Sequence, residues 1–326
     1  MRAVIHVGAH KTGTSLVQKY VRDNPELNGA LRLAVIGRGD ANRLVGWGGH
    51  LQERPELLRN RLEKEAARRP VAIFLSHENT LGRPFLPDRP GLYPDAPRSA
   101  EALAKICDGF DTQVVFYVRP VPDFLESYYL QTVHEGAWHS FPEWYGSLTG
   151  THTWTPVVEA LEAPFGPEQV ILGDFAEISA GQNEFLRRFM TRAGLPQPPV
   201  IDYAPVRNAS ISARGLEIAL DINRHLRSSK ERQATRKFLQ QYFSNRKDAR
   251  ARPMPDELRR SLTEQTTAEY QALAARAAEA VTSPPVSPGR PRSFGARLAA
   301  RRLLATSPGG AAAKRFVQRV RGGARA

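Results

Sequence analysis

Residues 6–18 read HVGAHKTGTSLVQ, and Gly8, Lys11, Thr12, Gly13, Thr14 and Ser15 have the types and spacing of an anion site. An apolar run precedes them and an amphipathic run follows, so the loop joins a strand to the start of a helix. At such a junction free backbone N–H groups and the helix dipole both face an incoming anion. Lys11 adds a full charge, Gly13 lets the backbone approach, and Thr14 and Ser15 bring hydroxyls to the helix start. The order departs from the usual nucleoside-triphosphate loop, Gly-x-x-x-x-Gly-Lys-Ser/Thr, because Lys11 precedes Gly13. Thr12 or Thr14 acting only as a helix cap is the plainer alternative.

Two further stretches carry chemistry. In VVFYVRPVPDFLESYYLQTVHEG, residues 114–136, Arg119 ends an apolar strand and Ser127 follows eight residues later, inside the next helix. An arginine and a helix hydroxyl converging beside the first loop would hold a second phosphate, separate from the first. Gln131 and His134 share the Ser127 face at helical spacing. In VAIFLSHEN, residues 71–79, His77 and Glu78 follow a strand end, and either can accept a proton. Adjacent side chains on extended backbone diverge, so only one of the two points into a common cleft.

K-T-G-T-S after the first strand and R-x7-S after a later one together resemble the two signatures of sulfotransferases that use 3′-phosphoadenosine-5′-phosphosulfate (PAPS). The resemblance runs over residues 1–230 in element order, and RNASISARGLEIAL, residues 207–220, also resembles bacterial members. It implies a P-loop-like central parallel sheet flanked by helices, with a helical C-terminal part. It implies that Lys11, Thr12, Gly13, Thr14 and Ser15 bind the 5′-phosphosulfate end of PAPS, and that Arg119 and Ser127 bind the 3′-phosphate. The reaction it implies moves a sulfuryl group to an acceptor hydroxyl on a saccharide or glycolipid. Lys11 would stabilise the departing phosphate oxygen, and no metal is required. Bacterial carbohydrate-type members carry Ser-x-Glu at the position of SHEN, which makes Glu78 the first choice for the base and His77 the alternative. The glycine-rich RKGxxG loop of the cytosolic members has no counterpart here. Arg207, Asn208 and Ser210 are candidates for part of its role.

The elements that must position these residues can be read from apolar patterning. Continuous apolar strands are expected at residues 3–7, 31–36, 71–75, 114–118 and 170–172, alternating with helices. The helices fall from Thr14 to Asn24-Pro25, over residues 55–69, from a Ser99 cap to Cys107, over residues 122–135, and through most of residues 184–271. Residues 83–97 are proline-rich and read as a loop that decides the acceptor. Ligands of such sheets bind beyond the carboxyl ends of the strands, where all three stretches fall. Asp174 and Glu177 are expected to cap a turn. Trp138, Trp144 and Trp154 read either as an acceptor wall or as packing.

The chain has 326 residues, one cysteine and a formal charge of +13. A lone Cys107 in an apolar setting reads as a small buried hydrophobe and excludes intrachain disulfides. Residues 283–326 hold ten Lys or Arg and no acid, so the high pI belongs to a tail and residues 1–282 form one α/β unit near charge balance. The tail is Pro/Arg-rich; it reads as a solvated segment, or as short amphipathic helices docking on an anionic membrane surface. No nucleic-acid-reading module accompanies it, so nucleic acid is not an expected partner. Without a signal-peptide pattern or an apolar span, the expected location is cytoplasmic, or peripheral to the inner face of the membrane. Two rival readings remain at this level. One is an ATP-dependent kinase with an atypical phosphate loop, the other a nucleotide-binding adaptor without turnover.

Overall fold

A computed structural model describes residues 1–204 and 210–282. Five parallel strands form its centre: β1 (Arg2–Gly8), β2 (Leu33–Ile36), β3 (Ala72–Ser76), β4 (Asp111–Val118) and β5 (Val170–Asp174), in spatial order β2-β3-β1-β4-β5. β1 is therefore central, and β3 and β4 flank it. The expected α/β class holds, with a helical C-terminal part.

Side-chain alternation divides the core between the two sheet faces. Ala3, Ile5, Val7, Ile73, Leu75, Val114, Phe116 and Val118 face one apolar cluster. It takes in residues of α3 (Arg38–Val45), α4 (Gly49–Glu53), α5 (Pro55–Ala66), α6 (Ala96–Ile106), α7 (Val121–His134) and α9 (Thr155–Phe165). Val4, Phe74, Val115 and Tyr117 face the other, under α1 (Thr14–Asp23) and α10 (Gln182–Arg192). Burial on both faces is why the strands read as continuous apolar runs.

Short helices α2 (Pro25–Ala30) and α8 (Phe141–Gly146) fill connections, and a 3-10 turn spans Phe175–Ala180 after β5. The C-terminal part holds α11 (Ala213–Asn223), α12 (Ser229–Tyr242) and α13 (Asp256–Thr282). Isolated bridges Ile211↔Ser244 and Ser212↔Arg250 fold the segment after α12 back beside the start of α11. Arg259 of α13 ties down α7 by donating to Asp123 at 2.9 Å and to Glu126.

Several expectations are corrected. Ser99 is buried inside α6, which begins at Ala96 behind Asp95, so it is not a cap. Asn24-Pro25 ends α1, but Pro25 starts α2 at once because proline suits a first helical turn. Val71 is half-exposed ahead of β3, and residues 31–32 precede β2 in a turn. Asp174 caps the 3-10 turn by accepting from the Ala176 N–H at 2.9 Å. Glu177 instead pairs with the buried Arg192 guanidinium. Cys107 is buried, and burial pushes its thiol up to about 12. Among the described residues no helix is long and apolar enough to cross a membrane. The tail, Arg207 and Asn208 lie outside the described residues.

Candidate active site

The loop after β1 turns on two left-handed residues, Lys11 (φ 62°) and Gly13 (φ 89°). A Cβ at Gly13 would meet the Phe185 ring at 3.0 Å, so the position takes glycine on both counts. Thr12 and Thr14 donate their hydroxyls back to the Ala9 carbonyl, at 2.7 and 3.3 Å. Neither caps α1: its N-cap is Gly13, and no side chain accepts from the first turn. The helix start is thus left open to an anion, and the two threonines stiffen the loop beneath it.

A cleft of about 860 Å3 opens over this loop at the carboxyl ends of the strands. Lys11, Gly13, Thr14, Ser15, Glu78, Arg119 and Ser127 all line it, so the structure brings together three stretches that are distant in sequence. Thr12 is buried and does not line it. Arg119 donates to the Lys11 carbonyl at 3.0 Å across 108 residues, and its guanidinium lies 5.0 Å from the centre of the Phe175 ring. Trp154, fully buried, donates its indole N–H to the Arg119 carbonyl at 2.7 Å and holds that residue from behind.

His77 and Glu78 diverge. His77 is buried and not on the cleft; its Nε2 lies 2.6 Å from Asn42 Oδ1 of α3, and burial lowers its pKa. Glu78 enters the cleft, accepting from Gln18 Nε2 at 2.9 Å with Arg38 at 3.4 Å. Burial alone would raise its pKa. A backbone N–H, Arg38, His77 and Gln18 outweigh burial and hold it below the usual value, so the group is ionised at neutral pH.

His10 reinforces this arrangement. Its Nε2 lies 2.9 Å from Asn79 Oδ1, an acceptor, so Nε2 carries the proton and Nδ1 accepts from Tyr93 Oη–H at 2.8 Å. Tyr93 Oη in turn accepts the His10 backbone N–H at 2.8 Å. Burial lowers the His10 pKa to about 4 and keeps the ring neutral. Lys11 and Glu78 each adjoin a member of this network.

The cleft is strongly cationic. Lys11, Lys19, Arg22, Arg38 and Arg119 come from the sheet side. Arg236 of α12 joins them, as do Arg246 and Arg250 of the segment that the bridges fold back. Glu78 is the one carboxylate among the described lining residues. Burial first, then repulsion from Arg119 and Arg236, lowers the Lys11 pKa to about 8. His134, on the Ser127 face, is lowered to about 4 by burial, Arg236 and Lys11. By contrast, a hollow of about 690 Å3 lined by parts of α4, α5 and α6 has balanced charges: Glu56, Glu101 and Asp108 against Arg59, Arg98 and Lys105.

Sequence reasoning missed Arg236, Arg246 and Arg250, because nothing local marks a surface arginine as facing a distant loop. Ser210 is on the cleft wall as well. None of Trp138, Trp144 and Trp154 lines the cleft: Trp154 is core, Trp144 packs on Phe85, Tyr129 and Phe141, and Trp138 stacks on His139. The packing reading holds for Trp144 and Trp154. Trp47, unread in the sequence, stacks on His10 instead.

No protein-family model matches the sequence, and no curated protein matches it. Among solved structures the chain is similar to a sulfotransferase from Alicyclobacillus acidocaldarius, at 18% identity and a TM-score of 0.42, over 70% of this chain and 98% of that one.

Proposed function

We propose that the protein is a PAPS-dependent sulfotransferase acting on a hydroxyl of a saccharide or glycolipid. The observation that carries this reading is the Arg119–Lys11 hydrogen bond at 3.0 Å, which makes one cleft of two motifs that each suit a phosphate. The cleft also fits the donor chemically. An open helix start, a desolvated lysine and a wall of arginines facing one carboxylate suit a ligand with several negative charges.

When bound, PAPS supplies a sulfuryl group whose S–O bond to the 5′-phosphate breaks as a new S–O bond to the acceptor oxygen forms. Ser127 and Arg119, with Arg236, Arg246 and Arg250 across the cleft, would hold the 3′-phosphate. Lys11 and the α1 N-terminus would face the leaving oxygen and stabilise the charge it gathers, more in the transition state than in the ground state. Glu78, ionised and facing the cleft, takes the acceptor proton. Gln18 and Arg38 orient that carboxylate.

The test is calorimetric titration with 3′-phosphoadenosine-5′-phosphate, with ATP and magnesium as control, on the wild type and Arg119→Ala. The bisphosphate is expected to bind and ATP not to. The variant should bind about 10- to 100-fold more weakly, the range for losing a charge-assisted hydrogen bond. A preference for ATP would favour the kinase reading. Binding without turnover on any hydroxyl acceptor would favour the adaptor.

A further inference from the structure

The donor reading assigns Lys11, Arg119, Arg236, Arg246 and Arg250 to PAPS, whose charge of about −4 at neutral pH they offset. Three more cations line the same cleft, Lys19, Arg22 and Arg38, and that reading gives them no anion of the ligand. Their place in the fold sets them apart. The carboxyl ends of neighbouring strands β2, β3, β1 and β4 lead to Arg38, Glu78, the Lys11 loop and Arg119, in that spatial order. Glu78 therefore stands between Arg38 and the donor grip. β2 and β4 are three strand spacings apart, about 14 Å.

α1 carries the same end of the cleft outward. Ser15, Gln18, Lys19 and Arg22 recur on one helical face, and all of them line the cleft. Gln18 donates to the Ser76 carbonyl of β3 at 2.9 Å, and α1 leads into α2, which packs on β2. Lys19 and Arg22 thus lie past β3 on the β2 side, where Gly37 and Arg38 also line the cleft. The Arg38 side chain is 58% exposed and reaches Glu78 with one nitrogen, at 3.4 Å. Most of the five N–H donors of that guanidinium are left for another acceptor. Arg22, 69% exposed in its side chain, pairs with Asp23 at 2.7 Å. An exposed pair of that kind contributes little, and Asp23 does not line the cleft.

We infer that the acceptor is itself an anion, a saccharide whose carboxylate or sulfate sits on Arg38, Lys19 and Arg22 while a nearby hydroxyl meets Glu78. A neutral acceptor would leave three cations facing one carboxylate in the filled cleft; an acidic one satisfies them. An acid must also approach the Glu78 carboxylate and a negatively charged sulfuryl donor, and these cations offset that repulsion. Because Arg38 adjoins Glu78, the anionic group and the reacting hydroxyl belong to the same sugar ring or to adjoining ones. This deepens the sulfotransferase reading and rests on it for the word acceptor; a preference for acids needs no sulfuryl transfer.

The test uses the full chain on an array of matched saccharides, each in neutral, uronate-bearing and sulfated form. 3′-Phosphoadenosine-5′-phosphate is present to fill the donor end, and wild type is compared with the double variant Lys19→Gln/Arg22→Gln. The affinity of each protein for the bisphosphate is measured separately. Acidic members are expected to bind the wild type at least about tenfold more tightly than their neutral counterparts, and the uronate and sulfate arms identify the anion. The double variant should lose about tenfold on the acidic members and keep its bisphosphate affinity within about threefold. Equal binding of neutral and acidic members, no binding of either by the wild type, or acidic binding untouched in the variant overturns the proposal. So does a parallel loss of bisphosphate binding in the variant, which would make Lys19 and Arg22 part of the donor grip. Failure of the wild type to bind the bisphosphate strikes the donor reading alone, because the array reports acid preference by itself.

Discussion

Lys11 is held by two opposing demands. In the proposed reaction it partners the leaving phosphate, yet burial and the nearby Arg119 and Arg236 lower its pKa to about 8. Lowering means that the charged form persists only below that value in the free protein. Binding of 3′-phosphoadenosine-5′-phosphate is therefore expected to be strongest near pH 7 to 7.5, where the ligand's own phosphates are largely doubly charged, and to weaken as pH rises past about 8. Calorimetry across that range checks it. Lys11→Arg, which stays charged, should flatten the profile, and an unchanged slope in that variant would remove Lys11 as the source. The place of Lys11 on the cleft was legible because the loop's residues are neighbours in sequence. Of the two arginines that shift its pKa, Arg119 was legible as well, but Arg236 was not, since it arrives from α12.

At the scale of elements, the end of β3 decides which of two candidates faces the cleft. The strand's alternation sends Glu78 to the cleft and His77 against Asn42 of α3. Glu78→Gln should cut kcat by about 100-fold or more and leave bisphosphate affinity close to wild type, as expected for loss of a general base. His77→Asn should retain most turnover. If sulfuryl transfer survives Glu78→Gln and disappears in His77→Asn, the roles are reversed. The divergence of the two side chains was readable from extended backbone alone; the winner was not, because that depends on what packs beside β3. The sheet was legible for a related reason: strands buried on both faces carry unbroken apolar runs. The short helices α2, α3, α4 and α8 were missed, having little sequence in which to establish a period, and so was the 11-residue α9. The tryptophans misled because aromatic content does not reveal which ring is buried. Trp154 is fully buried and acts through the Arg119 carbonyl, whereas exposed Trp47 lies in a Gly-Trp-Gly turn whose backbone no periodicity records.

Over the whole molecule, charge is sorted by place. The sequence outside the tail is close to balance, yet one cleft gathers eight of its cations around a single carboxylate. Such a concentration raises the local density of anions and speeds their arrival, and salt screens it. Affinity for 3′-phosphoadenosine-5′-phosphate should fall at least about tenfold between 50 and 500 mM sodium chloride. Titration at several ionic strengths checks this, and an affinity indifferent to salt would count against a multiply charged ligand in this cleft.

The central place of β1 has a consequence for the protein's birth on the ribosome. The strand is made well before its partners, residues 72–76 and 111–116. At about 5–20 residues per second, several seconds pass before β3 emerges and more before β4 does. Through that interval an apolar segment waits without a neighbour on either edge. The bond from Arg119 to Lys11 cannot form until the wait is over, so no nascent chain shorter than that can close its own cleft.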